Sequence, residues 1–349
     1  MAADDDPKTP ADDPPKETAD DKLVRRAIVG PPPHPLGDAR ERAQAAEAAA
    51  QPAPTLVERL RATPLTALIL MVNVGWFFWA ERLAPGHGST ETVDVLLRFG
   101  ASEPVHVWMG EYWRIASHMI LHIGGLHLLM NSYMLVTFGA AIEKELGSAR
   151  FIATYLVAGI VGGCMTVISL NPPTAGASGA LFGIIGARLV IRYRVVGSVS
   201  ALTKDPITRS LAIQAALWGV FGLFFSVSNR AHFGGLAGGV LAALALSSPK
   251  VRVAFPGVLV AVVALVAASI RPGWKPAGEE LGQLRNWGAR YLCGLEKITV
   301  DVERGKRFER RACEAGSETA CDDLKIFEAR GCGPSKSAPP KDEGRGTEP

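Results

Sequence analysis

Between residues 64 and 270 only about one residue in ten carries a formal charge, and those few charges sit in clusters between long apolar windows. Both flanks are polar. Residues 1–63 open on Asp4, Asp5, Asp6, Asp12 and Asp13, and residues 271–349 carry acidic and basic side chains throughout. A mean hydropathy of +0.17, averaged over two such flanks, is too high for a disordered or a wholly soluble chain. The middle therefore belongs in a membrane. A helix needs ~20 mostly apolar residues to cross ~30 Å of hydrocarbon. Charge-poor windows predict seven spans, at 64–80, 115–141, 151–170, 178–190, 211–228, 231–247 and 254–270. The fourth is short for a full crossing, and Gly183 and Gly186 mark it as a tightly packed central helix. A net charge of +3, scattered beside apolar segments, argues against a nucleic-acid partner.

Lys and Arg in the short loops set the orientation. Arg59 and Arg61 precede the first span, Lys144 and Arg150 follow the second, and Arg188, Arg192, Arg194, Lys204 and Arg209 follow the fourth. Lys250 and Arg252 follow the sixth, so all four clusters fall on one side. The amino terminus is then cytoplasmic and, with seven spans, the carboxyl terminus is outside. The Pro-rich, acidic head (1–60) reads as a disordered cytoplasmic tail and not as a signal peptide, because it lacks an apolar core segment. The run Trp76-Phe77-Phe78-Trp79 reads as an interfacial aromatic belt.

Cys164 falls inside the third span and reads as a small buried hydrophobe. Cys293, Cys313, Cys321 and Cys332 form an even set in the segment that the charge rule places outside, where disulfides persist. Zinc is the competing reading, but the set contains no C-x-x-C pair and no His follows His232.

Ionisable or nucleophilic groups inside a membrane are costly and default to functional hypotheses. Ser178 sits in GASGALFG, flanked by glycines where a loop gives way to a span. His232 opens the sixth span on the same side, and Gly235 and Gly239 form a stripe that admits another helix very closely. A close crossing can bring that imidazole to the hydroxyl, which is a poor nucleophile until an adjacent base accepts its proton. His127 and Asn131, four apart, share one helical face. No Asp or Glu occurs in an outer position near Ser178, so a dyad is expected and the imidazole has to be oriented by packing against an aromatic ring; Phe182 in the fourth span is a ring that could stack, and that contact is left open. His118 and His122 read as structural groups that tie the loop to the helix end. As an i, i+4 pair they have ligand spacing and suggest a metal site with His127, but no carboxylate joins them, and neither a metal nor another cofactor is expected.

Taken together, Trp113-Arg114, His127 with Asn131, Gly176-x-Ser178-Gly179 and His232-x-x-Gly235-x-x-x-Gly239 resemble the rhomboid family of intramembrane serine proteases, in that family's order, over roughly residues 64–250. The resemblance implies an all-α polytopic membrane protein with a six-helix rhomboid core (61–250), to which this chain adds a seventh, carboxyl-terminal span (251–272) and an extracytoplasmic Cys-containing tail (273–349). It implies Ser178 as nucleophile, His232 as general base, and His127, Asn131 and the Ser178 backbone N–H as oxyanion donors. Trp113, Arg114, Gly176, Gly179, Gly235 and Gly239 are then supporting residues. Its implied partners are single-span membrane protein substrates and the lipid bilayer, and the cysteine argument points to a bacterial inner membrane facing a periplasm. The other readings are a catalytically silent scaffold that binds transmembrane helices, and a transporter, which would call for paired intramembrane charges or inverted repeats. The stretch 310–332 resembles a Sel1-type helical hairpin. That resemblance implies a Cys313–Cys321 bridge and leaves Cys293 to Cys332, although four cysteines allow three connectivities.

Overall fold

The computed structural model describes residues 55–84, 89–170, 172–224, 228–248 and 250–332. Most of the head expected to be disordered (1–54) and the last residues of the tail (333–349) lie outside them. Among the described residues the chain is helical, and its one extended pairing is an isolated antiparallel bridge between Ser102 and Thr174.

A Thr55/Glu58 capping box starts α1 (Leu56–Ala62), and Pro64 at the first position starts α2 (Pro64–Leu83), where its missing N–H has no intrahelical partner to lose. A long connection follows with three short helices, α3 (Val93–Phe99), α4 (Pro104–Trp108) and α5 (Arg114–Ser117). Helix α6 (Gly124–Leu146) carries a π-helical turn at Leu135–Gly139. Then come α7 (Ser148–Ile168), α8 (Ser178–Val196), α9 (Val199–Lys204), α10 (Pro206–Phe224), α11 (Asn229–Leu246) and α12 (Val251–Ile270). A described helix overlaps each of the seven predicted segments, and residues 225–227 of the fifth lie outside the described residues. Four regions, Pro64–Leu83, Gly124–Leu146, Ser148–Ile168 and Val253–Ile270, are long and apolar enough to cross a membrane by length and composition. Val253, Val260 and Val263 on α12 stay 67 to 75 % exposed, which an aqueous surface would penalise and a lipid one would not. This is an integral membrane protein.

The second predicted span starts too early. Residues 118–123 break the helix, and Gly124 at φ +73° turns the chain where α6 begins. His118 and His122 consequently sit buried in a loop, and their ring nitrogens find no hydrogen-bond partner among the described residues. The expected tie between loop and helix end is made instead by the His118 carbonyl, which accepts from Gly176 N–H at 2.8 Å.

The centre is built on α7, α8 and α11, which pack almost without side chains between them. Cβ atoms added at Gly235 and Gly239 would run into the Gly179 and Gly183 carbonyl oxygens, and one at Gly162 would meet the Ala231 carbonyl at 2.9 Å. At the far end of these helices Arg188 pairs with Glu145, Arg192 with Asp205, and Arg194 donates to the Ser247 carbonyl.

Beyond α12 the chain forms α13 (Glu279–Cys293), α14 (Val302–Glu314) and α15 (Glu318–Arg330). Gly294 in the left-handed region ends α13, while Asp301 and Ser317 cap the two helices that follow. Cys293 pairs with Cys332, and Cys313 with Cys321 across the α14–α15 connection. The three helices dock on the long connection: Trp287, Tyr291 and Phe308 share one core with Leu97, Val105 and Trp108. Trp108 Nε1–H also donates to the Ser269 carbonyl at the end of α12. Ser102 ties the same connection to the loop entering α8, so the tail lies at the end of the molecule that carries Ser178.

Two expectations test this arrangement. Under denaturing but non-reducing conditions an alkylating reagent should add once, at Cys164, and five times after reduction; five additions without reduction would contradict it. Glu309, enclosed between α13 and α14 with neither carboxylate oxygen hydrogen-bonded, has its pKa pushed up to about 8 by burial, with Asp323 adding to the push. A raised folded value means the unfolded tail releases its proton first, so this group's contribution to stability falls as pH rises from about 4.5 to 8 and then levels off. Glu309→Gln should therefore raise the unfolding midpoint near neutral pH and little at acid pH. An equal shift at every pH would show that this carboxyl does not titrate as its burial demands.

Candidate active site

Ser178 is the first residue of α8, reached through Pro172, Pro173 and the bridge residue Thr174. Its N–H has no intrahelical acceptor by virtue of that position, and the helix dipole points its positive end there. Four residues on, one turn down the same face, stands Phe182. On α11 the Ser228 side chain caps the helix by accepting Ala231 N–H at 3.2 Å, which fixes the turn that presents His232. The glycine contacts between α8 and α11 then set the depth at which those two helix starts meet.

His232 Nε2 and Ser178 Oγ are 2.8 Å apart, and both residues are buried. Phe182 lies parallel to the imidazole, with centroids 4.2 Å apart and 6° between the planes. On the other nitrogen, Nδ1 is 3.2 Å from Asn229 Oδ1. With the Nδ1 proton given to that carbonyl oxygen, Nε2 is left as an acceptor for the hydroxyl proton, the tautomer that proton abstraction requires. Asn229 has no place in the sequence expectations; its only signal is a position three residues before His232 in the first turn of the helix.

His127 and Asn131 are buried on α6, one turn apart. His127 Nδ1 accepts from Ile123 N–H at 3.3 Å, so the ring proton sits on Nε2 as a donor. That edge faces Gly176, where an added Cβ would stand 2.6 Å from the ring and the backbone has φ +130°; glycine is needed for both reasons. Asn131 gives one Nδ2–H to the His127 carbonyl at 2.9 Å and keeps a second N–H. His127 is thus adjacent to the loop two residues before Ser178. Trp113 and Arg114 act elsewhere: the Arg114 guanidinium is enclosed, holds Glu111, donates to the Ala101 carbonyl at 2.9 Å and lies over the Trp113 ring. They shape the long connection. Gly179, Gly235 and Gly239 form the helix crossing already described. Among the described residues no group of three or more His, Cys, Asp or Glu has a metal-holding arrangement.

The family model described as "Rhomboid domain" matches residues 109–249. The chain is 36 % identical over 251 residues to "Rhomboid protease GluP" of Bacillus subtilis (strain 168), covering 71 % of this chain and 48 % of that one. It is 30 % identical over 201 residues to "Putative rhomboid protease YdcA" of the same organism, covering 55 % of this chain and 94 % of that one. The chain belongs to the rhomboid family. A third member of that family, "Rhomboid protease AarA" of Providencia stuartii, is 28 % identical over 56 % of this chain and 77 % of its own. This rhomboid protein spans about half the length of GluP and nearly all of YdcA.

Overpacking a close-packed site costs ~1–3 kcal/mol. Gly235→Ala should therefore lower stability by roughly 2 kcal/mol or more, read as a drop in the unfolding midpoint of the purified protein, and should separate Ser178 from His232. An unchanged midpoint would mean the α8–α11 crossing is looser than described.

Proposed function

We propose that this chain is an intramembrane serine endopeptidase that cuts single-span membrane proteins at a peptide bond near the outer face of the bilayer, with Ser178 and His232 as a catalytic dyad. The observation that carries the reading is the 2.8 Å contact between Ser178 Oγ and His232 Nε2, made by two helices that cross backbone to backbone. As Oγ attacks the scissile carbonyl carbon, His232 Nε2 takes its proton. The oxyanion of the tetrahedral intermediate is met by the Ser178 N–H, with His127 Nε2–H and the second Asn131 N–H completing the donors. The imidazolium then gives its proton to the leaving amine. Water attacks the acyl-enzyme by the same route, losing a proton to His232 and returning the hydroxyl to Ser178. Asn229 and Phe182 hold the imidazole in the place that a carboxylate takes in a triad.

A helical peptide bond is hidden by its own hydrogen bonds, so the substrate segment has to unwind before it can meet the nucleophile. Substrates with Gly or Pro near the cut are favoured, and replacing such a Gly by Leu slows cleavage. We place residues 1–60 in the cytoplasm, a six-helix core at 61–250, a seventh span at 251–272 and the disulfide-bearing tail outside, in a bacterial inner membrane. The charge clusters and the paired cysteines support that orientation.

Cleavage of a single-span reporter by purified protein tests the reading. Ser178→Ala should abolish turnover while the protein stays folded and still captures the reporter, and EDTA should change nothing. Turnover surviving in Ser178→Ala, or lost with chelator, would exclude the dyad; a parent protein that binds the reporter and never cuts it would be a scaffold.

A further inference from the structure

The carboxyl-terminal helices reach the candidate site through hydrogen bonds that converge on Glu103 and continue along the backbone through the Ser102–Thr174 bridge. Arg304 donates to Tyr291 Oη at 3.4 Å, and Tyr291 Oη–H donates to His106 Nε2 at 2.7 Å. The second ring nitrogen of His106, Nδ1–H, donates to Glu103 Oε2 at 2.6 Å, while Trp287 Nε1–H donates to Glu103 Oε1 at 3.0 Å. All of these groups but Arg304 are buried or nearly so, and the rings of Tyr291, Trp287 and Phe308 enclose His106 edge to face. Glu103 is bonded in turn to Ser102, whose N–H and C=O each pair with Thr174 at 2.8 Å and whose Oγ meets Thr166 Oγ1 at 3.0 Å. Thr174 lies two residues before Gly176, the residue pressed against the His127 ring and held to the His118 carbonyl, and four before Ser178. The loop that sets the nucleophile and faces the oxyanion donors is therefore anchored on one side to a connection that the tail holds in place.

We propose that the carboxyl-terminal helices are a positioning element for the reaction, and that Tyr291 and Trp287 are positioning residues that fix the 172–177 loop through Glu103, His106 and the Ser102–Thr174 bridge. The inference deepens the protease reading and rests on Ser178 being the nucleophile. It follows from the chemistry of the chain of bonds. Removing the Tyr291 hydroxyl leaves His106 Nε2 buried without a donor, and relieving that unmet acceptor requires the bonded His106–Glu103 unit to shift and the adjoining Ser102 with it. The apolar packing of the tail, which depends on the Tyr291 ring, is untouched by that change.

Tyr291→Phe and Trp287→Phe, each in the full chain, are the tests. Each should lower kcat for a single-span reporter about fivefold with KM unchanged, and speed hydrogen exchange of the Gly176 amide by a similar factor. Arg285→Ala, which breaks the exposed Arg285–Asp323 pair on the tail without touching the connection, should leave kcat, KM and exchange as in the parent. Parental kcat and parental exchange in both aromatic variants would overturn the proposal, and so would a rise in KM alone, which would make the tail a substrate-docking surface. If the parent and Ser178→Ala cleave alike, the protease reading falls, and exchange at Gly176 still decides whether the tail holds the loop.

Discussion

Everything at the candidate site depends on two helices touching through their backbones. Gly235 and Gly239 of α11 sit against the Gly179 and Gly183 carbonyls of α8, and no larger residue fits at either point. Without a hydrophobic effect between helices in lipid, such close contact is what van der Waals packing needs to hold a bundle together. It also fixes the relative depth of the two helix starts, and so the distance between Ser178 and His232. Packing and chemistry use the same four glycines.

A second constraint is direction. A buried hydrogen bond in a medium that excludes water has to be made by the right tautomer, because the wrong one leaves a donor facing a donor. Asn229 Oδ1 takes the Nδ1 proton of His232 and leaves Nε2 as an acceptor, while Ile123 N–H occupies Nδ1 of His127 and leaves Nε2–H as a donor. Two histidines with one intrinsic chemistry are thereby assigned opposite tasks by their neighbours. No carboxylate is required for either assignment.

Much of this was legible in the sequence because lipid imposes simple rules. Charge-poor windows predicted helices where helices stand, and the glycine flanks of Ser178 with the glycine stripe after His232 pointed to the crossing. The start of the second span was misjudged because the window 115–123 is apolar enough to pass for helix; only the left-handed Gly124 reveals the break. Asn229 escaped notice because its role depends on which way one amide points. The docking of the tail had no signal at all: His106 and Tyr291 are 185 residues apart and meet only once both elements have folded. The paired cysteines were readable as a set, and their partners became definite only in the fold.

The tail and the long connection share a core with residues of α7, so the helical centre is continuous with a cap formed by the tail at the end that carries Ser178. That continuity matters only if Ser178 is chemically active. Reaction with a fluorophosphonate, followed by peptide mapping by mass, addresses the point without any choice of substrate, since phosphorus traps a serine only when a base has taken its proton and donors accept the resulting oxyanion. The dyad predicts a single adduct on Ser178 that disappears in His232→Ala. An adduct on another residue, or one on Ser178 that forms equally well without the imidazole, would contradict it.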